Sequence, residues 1–459
     1  MKYSTTKTYT LKRSVIEFGK RIFKGLTRPD QKFGADMTYG MLAAKSCLLT
    51  SIVDQLHERT KKVNAVERLG RHLCKGIAEE AKNAYHEFIR EWVPKNPTIL
   101  IDDSDVVKPE GYKFESLGIV RDGSKSTEKK SVYEKGYHVT EAVVITRSKQ
   151  PVSVFSRIHS SREKGYVSAN AVTFEAIDQC ASLFKKAIYV MDRGYDDNKV
   201  FLKLDEMKQD YVIRLTSKRK VLYHNKWTPV TELRDRRKGK IKMKLRYHDT
   251  EHEAYLSHVK VMITASRKPI WLVLVYGITE HPMMLATNIP IRSKDDVIRV
   301  AKLYFSRWRI EEYFRCKKTV FEFENFRVRS LKAINALNFY MTLCMAYLTF
   351  LSLKPQSSQI RCNVIEAADP IKEHVFFLGY RLAAGIARIL YLLIYECEGV
   401  FPETIGGSSE LPADALRDTG GQHIRSPFIY GAHYVLIILQ TYIIHGVRLF
   451  LFEISAQGL

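Results

Sequence analysis

The sequence predicts an α/β protein whose mixed core is flanked by helical regions at both ends. Two short apolar runs, "TILIDD" and "AIYVMD", end in carboxylates and are separated by strand-like and helical segments. Apolar residues recur at helical spacing before residue 95 and after residue 330. A basic segment with strand-like patterning lies between the second carboxylate run and the later helices. At 459 residues the chain is too long for one ordinary core, so several domains or sub-domains are expected.

Residues 1–95 are expected to form a basic helical domain. The first 30 residues carry eight Lys or Arg and two acidic residues. The stretches "SVIEFGKRIFKGL" and "MLAAKSCLLTSIVDQL" place apolar residues at helical spacing, and the pattern from Ala81 to Trp92 is again helical. "VPKNP" then ends the helical pattern, because its prolines favour a loop.

The first part of the core is expected at residues 96–210. "TILIDD" is followed by "GYHVTEAVVITR" and "QPVSVFSRIHS", which are rich in β-forming residues and lie close together, as consecutive antiparallel strands would. "NAVTFEAIDQCASLFKK" predicts a helix, "AIYVMD" a second buried strand, and "YVIRL" a further strand after a helix at Asp197–Met207. Asp102 and Asp192 are therefore expected at strand ends.

Residues 211–289 are expected to form a β-rich basic insertion. Between Ile213 and His248, 13 Lys or Arg stand against two acidic residues. "KIKMKLRYH" and "IWLVLVYG" predict strands, and "MMLATNIP" closes the segment.

Residues 290–330 are expected to return the chain to the core as a helix. Ser293 is the expected N-cap, and Asp295 and Asp296 follow in the first turn, where the helix dipole favours acidic side chains. This helix is expected to continue through "YFSRWRIEEYFRCKK". Residues 331–459 are expected to form a C-terminal helical region.

Four residues of this expected helix share one stripe. A turn of about 100° per residue places them within an arc of about 60°. They are Tyr304, Arg307, Glu311 and Lys318. One carboxylate flanked by Tyr, Arg and Lys suits an anionic substrate with a metal at the acid. A solvated helix face with i,i+4 ion pairs explains the same spacing, so the helix alone does not decide between the two.

The net charge predicts a polyanionic partner. It is +23, and a charge this high usually implies DNA or RNA. A membrane surface is the competing interpretation, but the N-terminus lacks a signal-peptide apolar run, and charged or polar residues interrupt the apolar C-terminal stretches. The seven Cys have no Cys-x-x-Cys spacing. The cysteine spacing argues against a zinc site or a disulfide framework and favours a reducing compartment. We therefore expect a cytoplasmic protein with no membrane association.

The carboxylates at the strand ends favour the functional interpretation of the stripe. Acids on two neighbouring strands, together with Glu311 from a helix, can hold two divalent metals about 3.5–4 Å apart. Such oxygen-rich sites suit Mg²⁺ or Mn²⁺. Each Asp taken alone is equally well explained as a turn or N-cap residue. Four further acids crowd the same loops and leave the assignment open: Asp103, Asp105, Asp196 and Asp197.

These motifs together resemble the insertion-sequence-four family of bacterial DDE transposases. The stripe Tyr-x2-Arg-x3-Glu-x6-Lys is similar to the family signature, and "RWRIEE" around Glu311 is typical of it. "IDDSD" resembles the first-Asp segment and favours Asp102 over Asp103. "VMDRGYD" resembles the second-Asp segment and singles out Asp192, and "YVIR" resembles the strand that follows, with Arg214 as a DNA-contacting residue. The resemblance covers roughly residues 95–330.

The resemblance implies a fold and an activity. The family fold is RNase H-like, with a β-rich insertion between the second Asp and the Glu. Asp102, Asp192 and Glu311 would be the catalytic and metal-binding residues, with two Mg²⁺ or Mn²⁺ ions at each active site. Many relatives have a Trp at the position of Met283, and this Trp stacks on a flipped DNA base while a DNA hairpin forms. Met283 departs from the family pattern at this hairpin step.

Partners follow from the same resemblance. Tyr304, Arg307 and Lys318 would contact double-stranded DNA, and Arg214 and Arg315 are further DNA-binding candidates. The expected function is cleavage and strand transfer at terminal inverted repeats, by a homodimer that bridges two element ends and joins them to target DNA. The alternatives are a catalytically inactive DNA-binding descendant and an RNase H-like nuclease without strand transfer.

Overall fold

The computed structural model describes residues 3–127, 130–247, 250–264, 268–370 and 377–398. Within these residues the chain is a mixed α/β protein built on one ten-stranded sheet and one two-stranded sheet. The expected α/β class with flanking helices is therefore confirmed.

The helices are α1 (Tyr3–Phe23), α2 (Arg28–Ala44), α3 (Leu49–Asp54), α4 (Lys62–Cys74), α5 (Glu79–Arg90), α6 (Ala169–Leu183), α7 (Asn198–Glu206), α8 (Val230–Arg236), α9 (Lys294–Phe305), α10 (Trp308–Val320), α11 (Leu331–Leu353), α12 (Gln359–Ala367) and α13 (Gly379–Glu398). The strands are β1 (Thr98–Val107), β2 (Gly118–Arg121), β3 (Tyr133–Ile145), β4 (Pro151–His159), β5 (Ile188–Met191), β6 (Asp210–Arg214), β7 (Lys220–Tyr223), β8 (Lys226–Pro229), β9 (Ile241–Tyr247), β10 (Thr250–Val261), β11 (Ile270–Tyr276) and β12 (Met283–Thr287).

Three parallel strands form the centre of the large sheet. Its order is β2-β3-β1-β5-β6-β12-β11-β10-β9, and β4 pairs with β3. Strands β1, β5 and β6 run parallel, and the remaining neighbours are antiparallel. Ile101 pairs with Met191, which in turn pairs with Ile213. The three residues that follow them, one on each strand, therefore form a row across the sheet.

The strands expected to form an insertion extend this sheet. β12 pairs with β6, and β11, β10 and β9 follow outward in turn. The expected boundary between residues 210 and 211 therefore falls inside β6. β12 belongs to the same sheet because β6 without it would leave a row of unpaired backbone N–H and C=O groups. Within the described residues, β7 and β8 pair with each other in the separate two-stranded sheet.

The N-terminal helices pack with the helices that follow residue 330. Phe18 lies 5.3 Å from Tyr347, and Phe33 lies 5.2 Å from Tyr340, measured between ring centroids. Helix α11 is long and apolar enough to span a membrane by length and composition, but 83% of its apolar window is buried inside the protein. It is therefore the central helix of this packing, which explains why it is apolar on all sides.

Side chains from these helices cover the outer edge of β4. Tyr85 donates to the carbonyl of Ser153 at 2.6 Å. Asn335 donates to the carbonyl of Ile158 and accepts from its N–H, each at 2.9 Å. These contacts satisfy backbone groups that an open edge would expose to other chains.

The expected long helix after Ser293 is interrupted. Ser293 is its N-cap, as predicted, and the structure adds a capping box with Asp296. Helix α9 then ends at Phe305, and α10 begins at Trp308. The Ser306 hydroxyl donates to the carbonyl of Leu303, and the N–H of Arg307 bonds to the carbonyl of Tyr304, three residues back. Such tight turns and local hydroxyl bonds compete with the regular helix ladder, so the single stripe of four residues is divided between two helices.

Candidate active site

A row of polar residues crosses the three parallel strands. Asp102, Asp192 and Arg214 directly follow the paired residues Ile101, Met191 and Ile213. Adjacent strands lie about 4.8 Å apart, so the residues of this row are close neighbours. Asp102 is not at the end of its own strand, because β1 continues to Val107. The neighbouring strand β5 ends at Met191, and this opens the sheet beside Asp102.

Helix α10 brings Glu311 to the same place. Arg307, the residue before the helix, donates from Nη1 to Oδ2 of Asp102 at 2.7 Å and from Nη2 to Oε1 of Glu311. One guanidinium thus joins two of the three predicted catalytic carboxylates. Glu311 lies in the first turn of α10, where the helix dipole favours an acid.

Burial raises the pKa of Asp102 to about 7. The Arg307 charge opposes this rise, and the negative charge of Asp192 adds to it. The N–H of Asp103 also donates to Oδ1 of Asp102 at 3.0 Å. The raised pKa shows that Arg307 does not fully compensate for the burial of negative charge at this position.

A buried ion pair holds α10 against the sheet. Lys317 Nζ lies 2.9 Å from Oε2 of Glu141, and both side chains are fully buried. Asn338 of α11 accepts a further hydrogen bond from Lys317 at 2.9 Å. Glu141 is the residue of β3 that pairs with Asp102, so the anchor lies next to the carboxylate row.

Sequence reasoning missed this anchor. Lys317 and Lys318 are adjacent in "RCKK" and look alike in composition. The available signal was helical spacing, since Lys317 follows Tyr313 by four residues and Phe314 by three, and both are buried. Nothing local in β3 singles out Glu141.

The other predicted DNA-contacting residues of α9 and α10 lie at different positions along these helices. Lys318 donates to the carbonyl of Asp105 at 2.6 Å and pairs with Glu324 at 3.1 Å. Arg315 is half exposed and bonds to Glu312 at 2.8 Å. Tyr304 lies at the end of α9 and is only 5% exposed. The structure therefore brings Arg307 to the carboxylates, whereas Lys318 and Arg315 lie further along α10.

The competing acids on the same loops have structural partners. Asp103 accepts from Thr140 at 2.5 Å, and Asp105 bonds to His138 at 2.9 Å. Asp196 pairs with Arg219, and Asp197 caps helix α7. These contacts distinguish the four acids from Asp102 and Glu311, which share Arg307.

The carboxylates match the chemistry of a divalent-metal site without forming a ligand cluster. Among the residues that the structure describes, no group of three or more His, Cys, Asp or Glu is arranged to hold a metal ion. The donors are nevertheless carboxylate oxygens, which Mg²⁺ and Mn²⁺ prefer. A cation, the Arg307 guanidinium, already lies between Asp102 and Glu311. The residues present therefore fit a metal, although they are not assembled around one.

Fold and site together define a mixed α/β protein with a carboxylate centre beside parallel strands. Residues 94–348 match the family model of the Transposase DDE domain, and the chain belongs to this family. The family supports a transposase role and indicates an enzyme of the transposase or nuclease type whose substrate is DNA. DDE transposases generally use divalent metals. A search of the curated proteins found no match to the chain.

Proposed function

We propose that this protein is the transposase of an insertion sequence of the insertion-sequence-four type, with an RNase H-like core. It would bind terminal inverted repeats and perform cut-and-paste cleavage and strand transfer into target DNA. The observation that carries the proposal is the Arg307 contact with both Asp102 and Glu311, beside Asp192 in the strand register. This contact joins two motifs that are far apart in the sequence, and the strand register sets the third beside them.

Asp102, Asp192 and Glu311 would hold Mg²⁺ or Mn²⁺, two ions in a complete site. The bound ions would activate the attacking hydroxyl or water and stabilise the leaving oxygen. The protein supplies the frame for this chemistry, since two of the acids come from adjacent strands and the third from a helix anchored by Lys317.

DNA would contact several basic surfaces. Arg307, Lys318 and Arg315 would contact phosphates near the scissile bond, with Tyr304 beside them and Arg214 at the row of β6. The N-terminal helices would bind the inverted repeats. The basic segment 214–246 would add backbone contacts through exposed side chains such as Lys242 and Lys244.

Some basic side chains of that segment are already bonded to other groups of the protein. Arg234 pairs with Asp235 at 2.7 Å, and Arg237 donates to the carbonyl of His258 at 3.1 Å. The exposed Arg236 pairs with Glu232. Surface pairs of this last kind contribute little energy, so a phosphate can replace the carboxylate.

Met283 bears on a hairpin step. It begins β12, pairs with Val275 and is 1% exposed. A side chain buried in the sheet does not offer a stacking surface to a flipped base. The proposed function therefore includes cleavage and strand transfer and assigns no stacking role to Met283.

A cleavage assay separates the proposal from its alternatives. Full-length protein is incubated with Mg²⁺ or Mn²⁺ and DNA that carries the inverted repeats, taken from the nucleotide sequence flanking the gene. A transposase cleaves at the repeat ends and joins them to target DNA. Cleavage without joining identifies a nuclease, and binding without cleavage identifies an inactive descendant.

A further inference from the structure

The Arg307 guanidinium contacts the carboxylate oxygens that a metal would bind. Its Nη1 lies on Oδ2 of Asp102, and its Nη2 lies on Oε1 of Glu311. The second oxygen of Asp102, Oδ1, accepts the N–H of Asp103. Each oxygen of Asp102 thus accepts one hydrogen bond, and a metal ion that binds Oδ2 would lie against the positive charge of Arg307.

Arg307 can leave without disturbing the helix that carries Glu311. Helix α10 is held near its other end by Lys317 on Glu141 and by Lys318 on the carbonyl of Asp105. Arg307 itself precedes the first residue of α10, at the break after α9. Its long side chain can therefore change rotamer while the backbone and Glu311 stay in place.

Charge favours such an exchange. Arg307 places one positive charge between Asp102 and Glu311, and Asp192 adds a third carboxylate next to Asp102 in the strand register. A divalent cation brings twice the charge of a guanidinium to the same acids. A guanidinium released from them stays charged and keeps the fork geometry that fits a phosphate.

We propose that Arg307 and a divalent cation compete for Asp102 and Glu311, so that metal loading releases Arg307 to a DNA phosphate. This inference rests on the proposed metal-dependent function and adds a role for Arg307 in the metal-free protein. Arg307 is then a positioning residue that fills the site before loading. It prevents two partly buried carboxylates from repelling each other without a counter-charge.

The exchange couples metal and DNA through one side chain. If metal raises the affinity for DNA by freeing Arg307, DNA raises the affinity for metal by the same factor, because binding linkage is reciprocal. If Arg307 only bound phosphate, its replacement would leave the metal affinity measured without DNA unchanged. Metal binding without DNA is therefore the discriminating measurement.

The test measures Mn²⁺ binding to the full chain without DNA. Calorimetry and the loss of the electron paramagnetic resonance signal of free Mn²⁺ are the two readouts. Arg307→Gln removes the competing charge, and Arg309→Gln is the matched control. Arg309 lies two residues away, and its guanidinium donates to the carbonyl of Lys149 rather than to a carboxylate. We expect Arg307→Gln to bind Mn²⁺ about tenfold more tightly than wild type and Arg309→Gln to stay within about twofold.

Two further variants assign the gain to this site. Arg307→Lys keeps one charge but lacks the planar fork that spans Asp102 and Glu311, so a smaller gain is expected and the folded state is easier to retain. Adding Asp102→Asn to Arg307→Gln should abolish the gain. Circular dichroism checks that each variant is folded.

Equal or weaker Mn²⁺ binding by both Arg307→Gln and Arg307→Lys would overturn the competition. If wild type then still cleaves repeat DNA with Mn²⁺, the proposed function stands without it. If neither wild type nor any variant binds Mn²⁺ and no DNA is cleaved, both ideas are wrong.

Discussion

Arg307 Nη1 lies 2.7 Å from Oδ2 of Asp102, a contact that joins the start of α10 to the middle of β1 across 205 positions of sequence. The same guanidinium bonds to Glu311, four residues further along α10. Two predicted catalytic acids from distant motifs are therefore held in one hydrogen-bonded unit. Asp192 lies in the strand register next to Asp102, which completes the set of three.

Replacing any of the three acids should abolish DNA cleavage and preserve DNA binding. We expect Asp102→Asn, Asp192→Asn and Glu311→Gln each to lower the cleavage rate by more than about 100-fold, beyond the usual loss for a group that only supports a metal ligand. Mg²⁺-dependent cleavage of repeat DNA and a binding assay on the same DNA give the two readouts.

Asp103→Asn is the matched control for Asp102→Asn. Successive side chains of a strand point to opposite faces, and the Asp103 carboxylate accepts from Thr140 rather than from Arg307. Asp103→Asn should therefore retain cleavage within about tenfold of wild type. An active Asp102→Asn and an inactive Asp103→Asn would show that the neighbouring residue is the catalytic one.

Local patterns in the sequence predicted the parts of the fold that local chemistry determines. Ser293 caps α9 because its hydroxyl and the Asp296 carboxylate satisfy free N–H groups within a few residues. Asp192 follows the short apolar strand β5, as the run "AIYVMD" predicted. Both features depend on neighbours in the chain, which a single sequence displays.

Features that depend on distant partners could not be predicted in this way. β12 joins the sheet by pairing with β6, some 70 residues earlier, and strand patterning does not specify that partner. Lys317 is buried because Glu141 and Asn338 surround its ammonium group. The break at Ser306 is accompanied by a hydroxyl bond to Leu303 and a tight turn from Arg307 to Tyr304, neither of which helical spacing reveals.

Lys317→Met should destabilise the protein. It removes the counter-charge of Glu141, which is fully buried, and breaking a buried pair in this way costs about 3–5 kcal/mol of the free energy of unfolding. Urea unfolding monitored by circular dichroism measures this change. The neighbouring Lys318→Met, which alters a half-exposed side chain, should cost less than about 1 kcal/mol.

The double variant Lys317→Met/Glu141→Gln separates charge from packing. Removing both charges should recover part of the stability, because the uncompensated carboxylate is then absent. A double variant as unstable as the sum of the two single changes would show that the pair contributes through packing alone.

His159 should make stability rise with pH between about 4 and 6.5. Burial lowers the pKa of His159 to about 4, with the charges of His138 and Arg157 adding to the effect, while Asp105 opposes it. At His159 the unfolded state, with a His pKa of about 6.5, then binds more protons in this window, so the contribution of His159 to the free energy of unfolding increases by on the order of 3 kcal/mol as pH rises through it.

Comparison with His159→Gln isolates this contribution. Asp102 acts in the opposite direction across the whole window, since its pKa is raised from 3.8 to about 7 and this makes stability fall as pH rises. Only the difference between wild type and His159→Gln is assigned to His159, and it should be larger at pH 6.5 than at pH 4. The same difference at both pH values would mean that His159 binds its proton equally well in the folded and the unfolded protein.

The active form should be a dimer that bridges two element ends. Cut-and-paste movement requires both ends to be cut and joined together, and one set of three carboxylates per chain serves one end. The proposed interface is the apolar stretch "YVLIILQTYIIHGVRLFLFEI", residues 434–454, which lies outside the described residues. Its apolar surplus is the reason for this choice, because such a surplus often marks an interface.

Truncation near Pro402 tests this location, because it removes the stretch and keeps every helix and strand that the structure describes. Light scattering on repeat DNA should show two full-length chains with two ends and one truncated chain with one end. The truncated chain should still bind a single end, since the basic N-terminal helices and the carboxylate row are retained. A truncated chain that pairs and cuts two ends would move the interface elsewhere, and full-length protein that cuts both ends as a monomer would exclude the dimer.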